Sequence, residues 1–383
     1  MMTARTTGSK ALRRARNGWT ALIALALACS DDAAPRDAST TREDAATIAD
    51  ASVTLADASL DASTTRQDAA ATRDASTTPV SDGAMPPGFW DTDEIPKAKN
   101  VMMFRFLNRT NGKFSDAEVF WSFKNGSISE THSIAEQPTY DMPANASGRM
   151  YFYLCGVANQ CSGDPTKSKY FDFIEHTIGA DQYNGNTTRV DAFGLKLALR
   201  LHCADGFDMA FGEDYETFAE DRTVTFQKFI DEAPDAFKPL AQPPYAPYRI
   251  VEPGADAFKK GGAQEHYYDA FVDQIWSANG IGIAKPGPNG SGLAAYPDLS
   301  AAIFRHVGNV TGSFTSEGKL MNKDLWKDAS TFYASAPANY YARFWHRHGL
   351  NGKAYGFPYD DVGGYSSYVS HKGPETMLVA IGW

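Results

Sequence analysis

The sequence predicts a mainly β fold interrupted by a mixed α/β part. Three observations predict it. Between residues 98 and 215, short apolar runs recur with turns rich in Asn, Gly, Ser and Asp between them, the spacing of a sandwich or barrel. Between 216 and 340, apolar residues fall at helical intervals instead. Beyond Ser330, strand-like runs are expected to return, ending in "TMLVAIGW".

The amino-terminal region stands apart from this fold. Lys10, Arg13, Arg14 and Arg16 precede the apolar run "WTALIALALAC". A basic stretch followed by a short apolar one is an export signal, too short to span a bilayer as a helix. Ala28-Cys29 followed by Ser30-Asp31-Asp32 matches a bacterial lipoprotein cleavage site, with Cys29 as the lipidated residue. Ala26 stands where that pattern usually has Leu, and plain signal cleavage is the alternative. The expected location is therefore outside the cytoplasm, as a cell-surface or outer-membrane lipoprotein or a secreted protein. Residues 30–85 repeat "DASTT" at Asp37, Asp61 and Asp74 and hold almost no large apolar side chains. Such a segment cannot offset its ordering entropy and reads as an acidic, disordered tether.

The folded part, roughly 300 residues, is long enough for one large domain or two medium ones. The expected divisions are a β-barrel or sandwich at 86–215, a mixed α/β part at 216–340 and completing strands at 341–383. The whole chain carries −10, the signal +5 and the tether −7, which leaves −8 on the folded part. An acidic domain without a basic run argues against nucleic acid as a partner. Aromatic residues reach 13%; beyond filling cores, they form flat apolar platforms for sugar rings.

The strands are read at "NVMMFRFLN", "AEVFWSFKN", "GRMYFYLCG", "KYFDFIEHTI" and "LKLALRLHC". Cys155 and Cys161 flank a turn-like "GVANQ", so a disulfide closing a hairpin is plausible in an exported chain. Helices are read at 221–233, 264–279 and 297–307. In the second, Tyr268, Phe271, Val272, Ile275 and Trp276 share a face. "FWHRHG" puts His346 and His348 on one face if it is a strand; a metal would need a third ligand, and aromatic packing is the simpler reading. "YGFPYDDVGGYSS" gathers Tyr359, Asp360 and Asp361 in a loop suited to a polar binding surface or to packed tyrosines. No phosphate-binding loop, dinucleotide fingerprint, nucleophile elbow or zinc helix occurs, and no cofactor or metal is expected.

The stretch "YFDFIEHTIGADQYNGNTTRVDAFGLKLAL" reads as two apolar strands around a polar turn. It places Glu175 near the end of one and Asp191 near the start of the other. Glycosidic hydrolysis needs one acid for the leaving oxygen and a second carboxylate across the sugar. A solvated strand-end charge and a turn cap are the alternatives that spacing leaves open.

This stretch, with "APYRIVEPGADAF" and "GKAYGFPYDDVGGYSS", resembles glycoside hydrolase family 64, the β-1,3-glucanases related to thaumatin-like proteins. The resemblance covers most of residues 98–383. It implies a thaumatin-like β domain beside a mixed α/β domain, a groove between them for linear β-1,3-glucan, and endo-type, inverting hydrolysis by a monomer. The matching positions make Glu175 the general acid and Asp191, sixteen residues on, the general base. Thr177 and Thr188 stand where the family offers hydroxyls to the sugar. Tyr183 and Asn184 occupy the turn where relatives often present a Trp. A non-catalytic thaumatin-like glucan-binding protein is the alternative, but a binder needs no acid–base pair.

Overall fold

The computed structural model describes residues 84–155, 165, 168–287 and 292–383. The segment read as an export signal, Cys29, nearly all of the segment read as a tether, and Cys161 lie outside these. Cys155 is disulfide-bonded, and Cys203 is a buried free thiol.

The chain runs β1 (Met102–Arg109), β2 (Val119–Asn125), β3 (Ile128–Ser133), β4 (Thr139–Met142), β5 (Ala146–Leu154), β6 (Phe171–Ile178) and β7 (Gln182–Thr187). Next come β8 (Ala192–Phe193), β9 (Lys196–Cys203), β10 (Asp208–Gly212), α1 (Tyr215–Ala219), α2 (Arg222–Glu232), β11 (Ile250–Val251), α3 (Asp269–Asn279) and α4 (Pro297–Arg305). Last are α5 (Tyr340–Arg347), β12 (Val369–Lys372) and β13 (Pro374–Gly382). One sheet has the order β10-β9-β13-β1-β4, and a second the order β12-β7-β6-β5-β2-β3. The fold is mainly β with a helical part.

Alternation builds the core between the sheets. Phe104 and Phe106 of β1, Trp121 and Phe123 of β2, Ile174 and Ile178 of β6 and Leu197 to Leu201 of β9 bury one side of each strand in a single cluster. The helices α2, α3, α4 and α5 enclose another apolar cluster, with Phe229, Ile275, Ile303 and Trp345 at its centre. Phe193 of β8 stacks on Trp345 at 4.7 Å between centroids, so the short β8–β11 pair is pinned to the helical core.

Two expectations change. The polar "turn" after Ile178 is itself a strand, β7, paired to β6 with Thr177 opposite Asn184. Its Tyr183, Gly185 and Thr187 point inward while Gln182, Asn184 and Asn186 stay partly exposed, so a polar segment satisfies the pleat. "FWHRHG" opens as helix, not strand. Asn339 caps α5 by accepting from Ala342 N at 3.0 Å, and Tyr341, Phe344 and Trp345 bury one helical face.

Candidate active site

Glu175 lies on the outer face of β6. Its partners in register are Arg149 on β5 and Asn186 on β7. Asp191 enters from the loop between β7 and β8. Arg149 joins the two: Nε donates to Glu175 Oε1 at 3.0 Å and Nη1 to Asp191 Oδ2 at 3.0 Å. The guanidinium rests over the Phe173 ring, 4.0 Å from its centroid. Burial opposes the Arg149 charge, but Asp191 and Glu175 outweigh it and raise its pKa. The carboxylate side chains remain 40% and 44% exposed. One cation therefore orients two open acids toward the same space, an arrangement able to act on both sides of a bond.

Thr177 continues this face, opposite Ser147 and Asn184. Asn184 Oδ1 accepts from Gln182 Nε2 at 3.2 Å, Tyr368 Oη at 3.1 Å and Ser370 Oγ at 2.7 Å. The result is a polar surface beside the two acids, with Tyr368 47% exposed at its margin.

Other expected contacts are placed elsewhere. Tyr183 is wholly buried between the sheets and cannot offer its ring to a ligand. Gly185 makes this possible: a Cβ there would lie 2.3 Å from the Tyr183 hydroxyl and 2.7 Å from Glu175 O. Thr188 is buried, its hydroxyl accepting from Val190 N at 3.2 Å. Asp360 is fully buried: Arg305 Nη2 donates to Oδ1 at 2.9 Å, while Oδ2 meets His346 Nε2 at 3.0 Å and Gly356 N at 2.8 Å. It fastens its loop from inside. Tyr359 is also buried, at a left-handed φ of 73°. Asp361 is exposed and accepts from Tyr355 Oη at 3.2 Å.

The structure adds three residues that sequence reasoning missed. Arg149 is the bridge. Tyr355 lies within electrostatic reach of Glu175; burial, then Asp361, pushes its phenol pKa up. Glu252 faces Asp191; burial and that charge raise its carboxyl to about 7 against the N–H groups of Gly254 and Ala255. Both Tyr355 and Glu252 lie inside stretches that carried the family resemblance, but nothing local marked their roles. Beneath Glu175, His176 is buried against Phe123 and Phe104, at 5.0 and 5.7 Å between centroids, with both ring nitrogens unpartnered. Burial lowers its pKa to about 4. His346 and His348 bind Asp360 and Glu232 separately, and no metal-ligating cluster occurs among the described residues.

The sequence profile of the glycoside hydrolase 64 family, described as Beta-1,3-glucanase, matches residues 106–280 and 284–381. A curated glucan endo-1,3-beta-glucosidase from Arthrobacter is 24% identical over 275 residues, covering 60% of this chain and 48% of that protein. One from Cellulosimicrobium cellulans is 23% identical with the same coverage. The chain thus spans about half the length of the curated relatives it matches. Among solved structures, a laminaripentaose-producing β-1,3-glucanase from Paenibacillus barengoltzii is 28% identical, with a TM-score of 0.59 over 76% of this chain and 77% of that one. A β-1,3-glucanase domain from Clostridium beijerinckii, 20% identical, shares the fold at a TM-score of 0.60, covering 76% of this chain and all of that one.

Proposed function

The chain belongs to the β-1,3-glucanases of glycoside hydrolase family 64, and from that premise we propose that it cleaves β-1,3-glucan internally by an inverting mechanism. Glu175 is the general acid and Asp191 the general base. The observation that carries this reading is Arg149, which holds both carboxylates toward one open space at 3.0 Å each. The Paenibacillus relative has also been solved with laminarihexaose, which supports a laminarin-like substrate here.

A sugar bound across the outer face of β6 places its glycosidic oxygen at Glu175. Water attacks the anomeric carbon from the Asp191 side as the carbon–oxygen bond breaks. Glu175 gives its proton to the leaving oxygen, Asp191 takes one from the water, and exchange with solvent restores both. Arg149 balances the single negative charge of the resting pair. Room for that water requires the carboxyl groups to stand about 6.5–9.5 Å apart. Thr177, Asn184 and Ser370 offer polar groups to neighbouring sugars.

Incubation of the purified chain with laminarin tests the reading. Wild type is expected to release oligosaccharides whose new ends are first α-anomers by proton NMR. Glu175→Gln is expected to lose about 10²–10⁴ in rate while still binding laminarin. Binding without any turnover by wild type would leave a glucan-binding protein instead. An initial β-anomer would remove Asp191 as the base. We also propose export with a lipid on Cys29; Cys29→Ser should move the protein from membrane to soluble exported fractions at unchanged specific activity.

A further inference from the structure

Asp191 has an acidic neighbour besides Glu175. β8 and β11 pair antiparallel with Val251 opposite Ala192. The next step in that register sets Glu252 opposite Asp191, and Glu252 N donates to Asp191 O at 3.4 Å. Directly opposed residues project to the same side, with Cβ atoms about 4.5–5.5 Å apart. The Glu252 carboxylate turns in over its own chain, where Oε2 accepts from Gly254 N at 2.6 Å and caps the turn at 253–255.

A cap alone does not call for Glu. Ser, Asn or Asp satisfies such an N–H without burying a long acid. Among the described residues, no cation is one of the groups that act on Glu252. Those that face it are Asp191 before β8, Tyr268 before α3 and Tyr341 on α5, with the N–H groups of Gly254 and Ala255. An acid in that setting costs stability whenever it is ionised. Besides capping, its ionised form acts on Asp191, which also faces the cations Arg149 and Arg249.

We propose that Glu252 is a positioning residue for Asp191 in the reaction above: it fixes the Asp191 backbone through the β8–β11 pair and, when ionised, strengthens Asp191 as acceptor of the water's proton. The inference rests on that reaction. Glu252 takes up no proton in the step; the proton goes to Asp191 and then to solvent. Below neutrality Glu252 is protonated and silent; above about 7 its charge acts on Asp191.

The test is Glu252→Gln, whose amide oxygen can still cap the turn. With laminarin, the ratio of variant to wild-type kcat/KM is expected to fall roughly 3- to 10-fold from pH 5 to pH 8, with KM unchanged. The thermal midpoint at pH 8 should rise, because no buried charge remains to be ionised. Activity and stability therefore move in opposite directions, which a purely structural role does not produce. Superimposable profiles, or an equal loss at every pH, would overturn the proposal. A readout without turnover separates it from the proposed function. In substrate-free wild type carrying ¹³C-labelled carboxyls, the Asp191 resonance should show an inflection near pH 7 that Glu252→Gln removes. Its absence overturns the coupling. The inflection in a protein that hydrolyses no laminarin would sink the reaction, and the tuning role with it, while leaving the pairing in place.

Discussion

Two clusters in this molecule have the same composition and opposite fates. Arg149 holds Glu175 and Asp191; Arg189 holds Asp172 and Glu213. Glu175 and Asp172 lie on the same strand, three residues apart. In the second cluster no side chain is more than 5% exposed. All five N–H donors of Arg189 are used. Nε and one Nη2 hydrogen go to Glu213, Nη1 goes to Asp172 and Thr188 O, and the other Nη2 hydrogen to Leu195 O. Asp172 also accepts from Phe173, Gly194 and Leu195 N, and Glu213 from Leu197 N. Such a cluster is a clasp, with no capacity left for a ligand. In the first, the carboxylates are satisfied on one side and open on the other. Residue type does not separate a structural ion triad from a candidate catalytic one; what separates them is where the remaining lone pairs point.

The sharpest way to break this comparison is to remove each arginine in turn. Arg189→Met strands two buried carboxylates and should cost about 3–5 kcal/mol in urea unfolding of the full chain. A loss under 1 kcal/mol would mean the buried cluster is not a clasp. Below Glu175, on the opposite side of the sheet, His176 gives the next effect. Its folded pKa of about 4 lies below its ordinary 6.5, so the unfolded chain takes up the proton first. Stability is then full above about pH 6.5 and falls as pH drops toward 4, by up to about 3 kcal/mol. His176→Phe should flatten that window in unfolding experiments at pH 7 and 4.5. Glu252 has the reverse sign: its raised pKa makes stability fall as pH rises from about 4.5 to about 7. The smallest stability change belongs to Arg149→Met, within about 1 kcal/mol because the pair is half exposed. Turnover of laminarin by that variant should nevertheless drop roughly 10- to 100-fold through lost orientation of the two acids.

Glu175 and Asp191 drew attention in the sequence because they belong to one continuous run; the structure brings both to Arg149, although β6 pairs with β7 and Asp191 lies in the loop beyond it, not on an apolar strand of the same hairpin. Arg149, Tyr355 and Glu252 reach the site only through sheet pairing and loop return, and no local pattern reveals which distant residue a strand will meet. Sidedness was the other difficulty. Tyr183, Thr188 and Asp360 have the chemistry of sugar contacts, yet all three are buried: Tyr183 at an inward position of β7, where one residue along the strand moves a side chain from surface to core, Thr188 just beyond that strand and Asp360 in a turn. The alternation of Gln182, Asn184 and Asn186 with Tyr183, Gly185 and Thr187 held that information. Likewise, Tyr341, Phe344 and Trp345 at helical spacing marked α5, while the paired histidines drew attention to a strand.

The position of β13 has a consequence for how the protein comes to be folded. β13 runs parallel to β1, with Met103 opposite Thr376 and Arg109 opposite Gly382, and β9 lies on its other side. The central strand of the five-stranded sheet is therefore the last of its strands to be delivered by a growing chain. Until it arrives, one edge of β1, bearing Phe104 and Phe106, has no neighbour, and neither has the facing edge of β9. Contacts of such long sequence separation close slowly, and an apolar strand edge left open in the meantime can pair with the same edge of another chain. The topology thus leaves the fold open to aggregation during synthesis, before β13 has closed the sheet.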